Sequence, residues 1–182
     1  ADIVMNHKLG ADAFEEAEAK CVNPSNRMQD QSDLIKISAP TVFDFPGRGG
    51  KYSNFKWRYE HFTGVDWDNY SKRSDRIYQF ANKKWAEDVS GEMGNYDFLM
   101  GADVDVSNEE VKEELLNWGK WYMDFTKIDG FRLDAVKHIS ASFIKEWVTH
   151  MRKTSGKEML AIGEYWHGDV RELGRYLNQV DY

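Results

Sequence analysis

The sequence predicts an α/β protein with a β-rich excursion inserted near its start, and three observations carry that reading. From Ser107 onward, helical and strand-like patterns alternate. The stretch before it holds all three prolines, Pro24, Pro40 and Pro46, and sustains no helical period. Three short apolar runs each end in polar or ionisable residues, the usual site-bearing end of a strand in a parallel sheet.

The first run is Asp2-Ile-Val-Met-Asn-His7. Ile3, Val4 and Met5 read as a short strand buried on both faces, as parallel strands are. Residues 8 to about 106 are irregular and rich in glycine. Within them Leu34–Ile37, Thr41–Phe45 and Arg76–Phe80 read as antiparallel strands. Too many aromatic residues fall here for a disordered linker.

Ser107-Asn-Glu-Glu110 then has the form of a capping box. Val111, Leu115, Trp118, Tyr122 and Phe125 follow at helical spacing. Gly130–Val136 reads as a strand and its exit. Phe143, Ile144, Trp147, Val148 and Met151 mark a second helix, closed by Gly156. Met159–Glu164 reads as a third strand. Asp169 caps a third helix through Val170, Leu173 and Leu177. Such alternation means parallel strands joined by right-handed crossovers, which a doubly wound sheet and a (β/α)8 barrel both satisfy. No internal repeat and no glycine-rich phosphate loop is present.

Composition narrows the partners. The formal net charge is -7 and no Lys/Arg-rich run appears, which excludes nucleic acid. The 7 Trp, 9 Tyr and 10 Phe suit stacking on sugar rings, although aromatics also fill cores. Cys21 is the single cysteine, so no internal disulfide forms and a cytoplasmic location is favoured, with secretion the alternative. No segment is long and apolar enough to span a membrane, and no signal peptide is visible.

The ends of the three strands carry Asn6 and His7, then Arg132 and Asp134, then Glu164. Taken alone, Asp134 is a helix cap or an ion-pair partner of Arg132, two residues away on the same strand face. Paired with Glu164 it suggests more. A neighbouring guanidinium keeps a carboxylate ionised, as a nucleophile requires. Tyr165 and Trp166 beside Glu164 predict an apolar wall that raises its pKa, as a general acid requires. Two carboxyls driven apart in this way are the pattern of glycoside cleavage. His7, Asp134, His138 and Glu164 also permit a metal-site reading, but no HExxH is present and the spacing is loose. A second cluster, Asp97, Asp103 and Asp105 after Glu92, offers oxygen ligands for Ca²⁺ or simply solvated turn residues.

At these residues the sequence resembles the α-amylase family. Asp2–His7, Gly130–His138 and Ile162–Trp166 resemble three of its signature segments in order, and Leu99–Asp103 resembles a fourth. Phe45–Arg48 and Gly94–Asp97 resemble the bacterial liquefying and intracellular branch. The resemblance implies a partial (β/α)8 TIM barrel, strands 3 to 5 with their helices, plus an inserted β-rich domain B. It divides the chain into 1–8, 9–106 and 107–182. It implies a retaining α-1,4-glucan endo-hydrolase acting on starch, glycogen or maltooligosaccharides. Asp134 is then the nucleophile, Glu164 the acid/base and Arg132 the residue that orients the nucleophile. His7, Lys137, His138 and Trp166 would line the substrate. Asn6, Asp97, Asp103 and the carbonyl of His138 would hold a calcium ion.

Two departures stand out. By this alignment Thr63, Ala86 and Ser107 replace aspartates of a second metal cluster found in secreted relatives. The family's third catalytic carboxylate, expected after strand 7, is not in the chain. The 182-residue chain alone is therefore expected to be inactive, and to self-associate through the open edges of strands 2–6 and 159–164. A transglycosylase of the same family, and a non-catalytic carbohydrate- or calcium-binding module, are the alternatives.

Overall fold

The computed structural model describes residues 1–180; the last two residues of the 107–182 segment lie outside the described residues. The strands are β1 (Asp2–Ile3), β2 (His7–Lys8), β3 (Ala13–Asn23), β4 (Asn26–Asp30), β5 (Ile35–Val42), β6 (Phe62–Val65), β7 (Ile77–Phe80), β8 (Ala102–Val104), β9 (Gly130–Leu133) and β10 (Leu160–Gly163). The helices are α1 (Glu109–Thr126), α2 (Ala141–Ser155) and α3 (Val170–Val180). The chain forms two compact units. One gathers Ala1–Asn6, Ala86–Ser90 and Val106–Tyr182; the other gathers His7–Trp85 and Gly91–Asp105. Among the described residues no helix is long and apolar enough to cross a membrane.

The first unit is built on a parallel sheet of order β1-β9-β10. Its register sets Asp2 beside Arg132 and Arg132 beside Ile162, so these three share a face. Ile3, Phe131 and Leu133 lie on the opposite, buried face. There the Phe131 ring meets Trp147 of α2 edge-on at 5.1 Å, and the Trp147 indole donates to the Leu115 carbonyl of α1 at 3.1 Å. On the Arg132 face Val4, Leu160 and Ile162 are 49%, 64% and 55% exposed.

The helices follow their local chemistry, with two corrections. The N-cap of α1 is Asn108 rather than Ser107, and its side chain accepts from the Glu110 N–H. The buried line of α1 runs Val111, Leu115, Gly119, Met123, while Phe125 of the expected stripe is exposed. Gly119 is needed there because a Cβ would fall 2.7 Å from the Trp147 ring and 2.8 Å from the Met151 sulfur. In α2 the five predicted apolar residues are all buried, and Gly156 closes the helix with φ 66°. Asp169 accepts from the Arg171 N–H at the start of α3 at 2.9 Å. That helix buries Tyr176 and Val180; Val170 and Leu177 of its predicted stripe are exposed.

The second unit is a seven-stranded sheet whose path runs β2-β8-β6-β7-β3-β4, with β5 paired to β3. All its pairings are antiparallel. The runs predicted at Leu34–Ile37 and Thr41–Phe45 are largely one strand, β5. Pro40 sits inside it, and the register against β3 shifts between Ala13 and Glu15, a bulge that accommodates a residue without an N–H. The longest strand, β3, was not anticipated. It alternates buried Ala17, Ala19 and Cys21 with Glu16, Glu18 and Lys20. Val22, Ile77, Trp85 and Phe98 form one core cluster, and Phe43, Trp57 and Phe62 stack in another.

Candidate active site

The candidate site lies on the open face of the first unit's sheet. Backbone bonds fix the strand ends that carry it: Asp134 N–H donates to the Ile3 carbonyl and Glu164 N–H to the Leu133 carbonyl, both at 2.9 Å. Arg132, Asp134 and Glu164 converge there. One guanidinium spans both acids, Nη1 to Asp134 Oδ1 and Nη2 to Glu164 Oε1, each at 2.8 Å. Nη1 also meets Asp2 Oδ1 at 2.6 Å. Asp2 first, then Asp134, raise the pKa of Arg132, so the cation between the two acids is permanent.

Behind Asp134 the backbone turns sharply. Ala135 adopts φ 52°, ψ 34°, a left-handed conformation uncommon for alanine. The turn points its N–H at Glu164 Oε2, 3.2 Å away. The Trp166 indole N–H donates to the other oxygen, Oε1, at 2.9 Å. These contacts overturn the expected raised pKa of Glu164. The Trp166 hydrogen bond first, then that of Ala135, stabilise the carboxylate and lower its pKa, outweighing a weak desolvation. The aromatic wall fails as an apolar wall because indole presents a polar N–H edge.

The other candidates fall in different places. Lys137 is buried, and its ammonium donates to the Trp166 carbonyl at 2.8 Å. His138 is also buried and closes a short 3-10 turn, Val136–His138, with its N–H on the Ala135 carbonyl at 2.9 Å. His7 belongs to the second unit, paired in register with Asp103. Sequence reasoning missed Asp2, whose role depends on register, and the N–H of Ala135, which no side-chain pattern announces. It also missed Asp88, which accepts from the Ser142 N–H at 2.8 Å and the Ser140 hydroxyl at 3.0 Å at the start of α2.

The candidate calcium ligands divide between the units, Asn6 and His138 in one, Asp97 and Asp103 in the other. Among the described residues no three His, Cys, Asp or Glu side chains gather as a metal site. Asp97, Asp103 and Asp105 are nonetheless all buried within the second unit. Burial first, then the charge of Asp97, pushes the Asp103 pKa well up; a hydrogen bond from the Thr63 hydroxyl opposes this. Asp105 pairs with Lys83 at 2.6 Å. Carboxylates crowded away from water are hard oxygen donors of the kind a Ca²⁺ ion neutralises.

The comparisons with known proteins converge. The chain is 52% identical to an alpha-amylase of Geobacillus stearothermophilus over 183 residues, 100% of this chain and 33% of that protein. It is 49% identical to the alpha-amylase of Bacillus licheniformis, over 100% of this chain and 35% of that protein. It is 40% identical to the cytoplasmic alpha-amylase of Escherichia coli, over 99% of this chain and 37% of that protein. The chain thus spans about a third of the length of these relatives. The parallel sheet with its helices is part of a TIM barrel, and the antiparallel sheet is the β-rich domain inserted in it. The family model for the alpha amylase catalytic domain matches residues 1–182, and the chain belongs to that family.

Proposed function

We propose that this chain forms part of the catalytic centre of a retaining α-1,4-glucan endo-hydrolase, with starch, glycogen or maltooligosaccharides as substrates. The observation that carries the reading is the single Arg132 guanidinium holding Asp134 and Glu164 together, 2.8 Å from each. Two carboxyls within reach of one guanidinium suit direct attack on carbon, for which retaining enzymes keep them about 5–5.5 Å apart. Glu164, protonated, donates to the glycosidic oxygen as that bond breaks. An Asp134 oxygen bonds to the anomeric carbon and forms a glycosyl ester. Glu164, now a carboxylate, takes a proton from water; the water oxygen attacks the same carbon and frees Asp134. Two inversions leave the α configuration.

Lys137, His138, Trp166 and His7 are assigned to the substrate, and the exposed indole of Trp166 offers a stacking surface. Asn6, Asp97, Asp103 and the His138 carbonyl are assigned to Ca²⁺, supported by the burial of Asp97 and Asp103 as oxygen donors. A cytoplasmic location is supported by the free, buried Cys21 and by the Escherichia coli relative. For the isolated 182-residue chain the expectation is different. Its catalytic carboxyls lie on an open sheet face, and Val4, Leu160 and Ile162 of that face are exposed. It should show no turnover and should self-associate, and a monomer by light scattering would contradict the second point.

The test of the reaction is NMR of the first product formed by the whole enzyme from a maltooligosaccharide. The α anomer is expected. A β anomer would remove Asp134 as nucleophile.

A further inference from the structure

Every group bonded to Glu164 favours its charged form, yet a general acid must arrive at the substrate with a proton. Something in this arrangement has to yield. Arg132 is held by Asp2 and Asp134 as well as by Glu164, at 2.6, 2.8 and 2.8 Å. The Ala135 N–H is part of a buried backbone turn. Trp166 differs from both. Its main chain is tied down through the Lys137 ammonium on its carbonyl, but the residue is 78% exposed. Its ring alone can turn away without disturbing a packed element. An exposed indole is also the surface on which a sugar ring stacks.

Resting on the assignment of Glu164 as acid/base, we infer that Trp166 is a positioning residue that holds Glu164 ionised in the empty site and lets it go when a glucan ring stacks on the indole. The carboxylate then takes a proton from hydronium, leaving water and a carboxylic acid aimed at the bound sugar. Proton uptake is thereby tied to substrate. The charged groups facing Glu164 are Arg132 of β9 and Asp134 just after that strand, with Asp2 of β1 behind Arg132, and the Lys137 ammonium sits on the Trp166 carbonyl. The lowered pKa of Glu164, caused first by the Trp166 bond, agrees with this arrangement.

NMR titration of the whole enzyme tests this without needing turnover. Glutamate carboxyl carbons and tryptophan indole nitrogens are labelled. The Glu164 carboxyl and the Trp166 indole should titrate with one midpoint, and Glu164→Gln should abolish the indole's response. In Trp166→Phe, an exposed substitution, Glu164 should bind its proton at about tenfold lower proton concentration, one pKa unit. A non-hydrolysable, thio-linked maltopentaose should move the native midpoint the same way and leave the variant's nearly unchanged. An unaltered midpoint in Trp166→Phe, an indole blind to Glu164, or a native midpoint unmoved by the saturating thio-linked sugar overturns the inference. Full turnover by a Glu164→Gln whole enzyme would instead sink the acid/base assignment and leave the titration result standing.

Discussion

The two units treat carboxylates in opposite ways. In the first, Asp134 and Glu164 sit on an open sheet face, shared by one guanidinium, and hydrogen-bond donors set the proton affinity of Glu164. In the second, Asp97, Asp103 and Asp105 are buried, and lost hydration plus mutual repulsion drive Asp103 toward its neutral form. The same side-chain chemistry thus gives a carboxylate held ionised by donors in one place and a carboxyl pushed toward its neutral form in the other. Donors decide where water can reach, and desolvation decides where it cannot.

The sharpest way to break this contrast is at Glu164. In the whole enzyme Glu164→Gln should lower kcat by about 10²–10⁴-fold, the usual contribution of a positioned acid/base. A reporter maltooligosaccharide measures it, and a loss of less than tenfold would mean the open-face carboxylate is not the acid. The counterpart in the buried cluster is metal removal. If Ca²⁺ binds only the folded state, adding it at 100 times its Kd should stabilise by about 2.7 kcal/mol. Chelator should therefore lower Tm and Ca²⁺ restore it; a melting curve indifferent to both would leave the buried carboxyls to the Thr63 hydroxyl and the Lys83 ammonium.

Two further substitutions probe the helices packed behind the strands of the first unit. Gly119→Ala drives a methyl into Trp147 and Met151 and should cost about 1–3 kcal/mol, read from the denaturant midpoint. No change would mean that α1 and α2 separate easily. Asp88→Ala should cost about 1 kcal/mol through lost capping of α2. Burial opposes the charge of Asp88, but its bonds from Ser142 and Ser140 outweigh it and lower the pKa. Its contribution is thus present above the ordinary aspartate value of about 3.9, and fades as pH falls through the lower folded value. The variant should therefore show a shallower acid limb of stability, and an identical limb would refute the cap.

The legible parts of the fold were those with a strong local period. All five predicted apolar residues of α2 are buried, and its stop at Gly156 needs a left-handed residue that glycine supplies. Strand β3 escaped because its alternating buried positions, Ala17, Ala19 and Cys21, are too small to register as a strand against Glu and Lys neighbours, and its one larger buried residue, Val22, lies near the end. The buried line of α1 was misread for a related reason. A glycine at position 119 marks a close helix approach, while the larger Phe125 was left in solvent.

The sequence by itself determined the alternation of helices and strands after Ser107 and the residue types at the three strand ends, because these depend on short-range spacing. Tertiary structure alone decided that Asp2 joins Arg132, that Ala135 turns its N–H onto Glu164, and that Trp166 donates instead of merely walling the site. It alone decided, too, that Asp103 is fully buried. Proton affinity depends on which donors and charges lie within a few ångströms and on how much water remains. Both are properties of the packed chain, set by strand register and burial between residues as distant in sequence as Asp2 and Arg132.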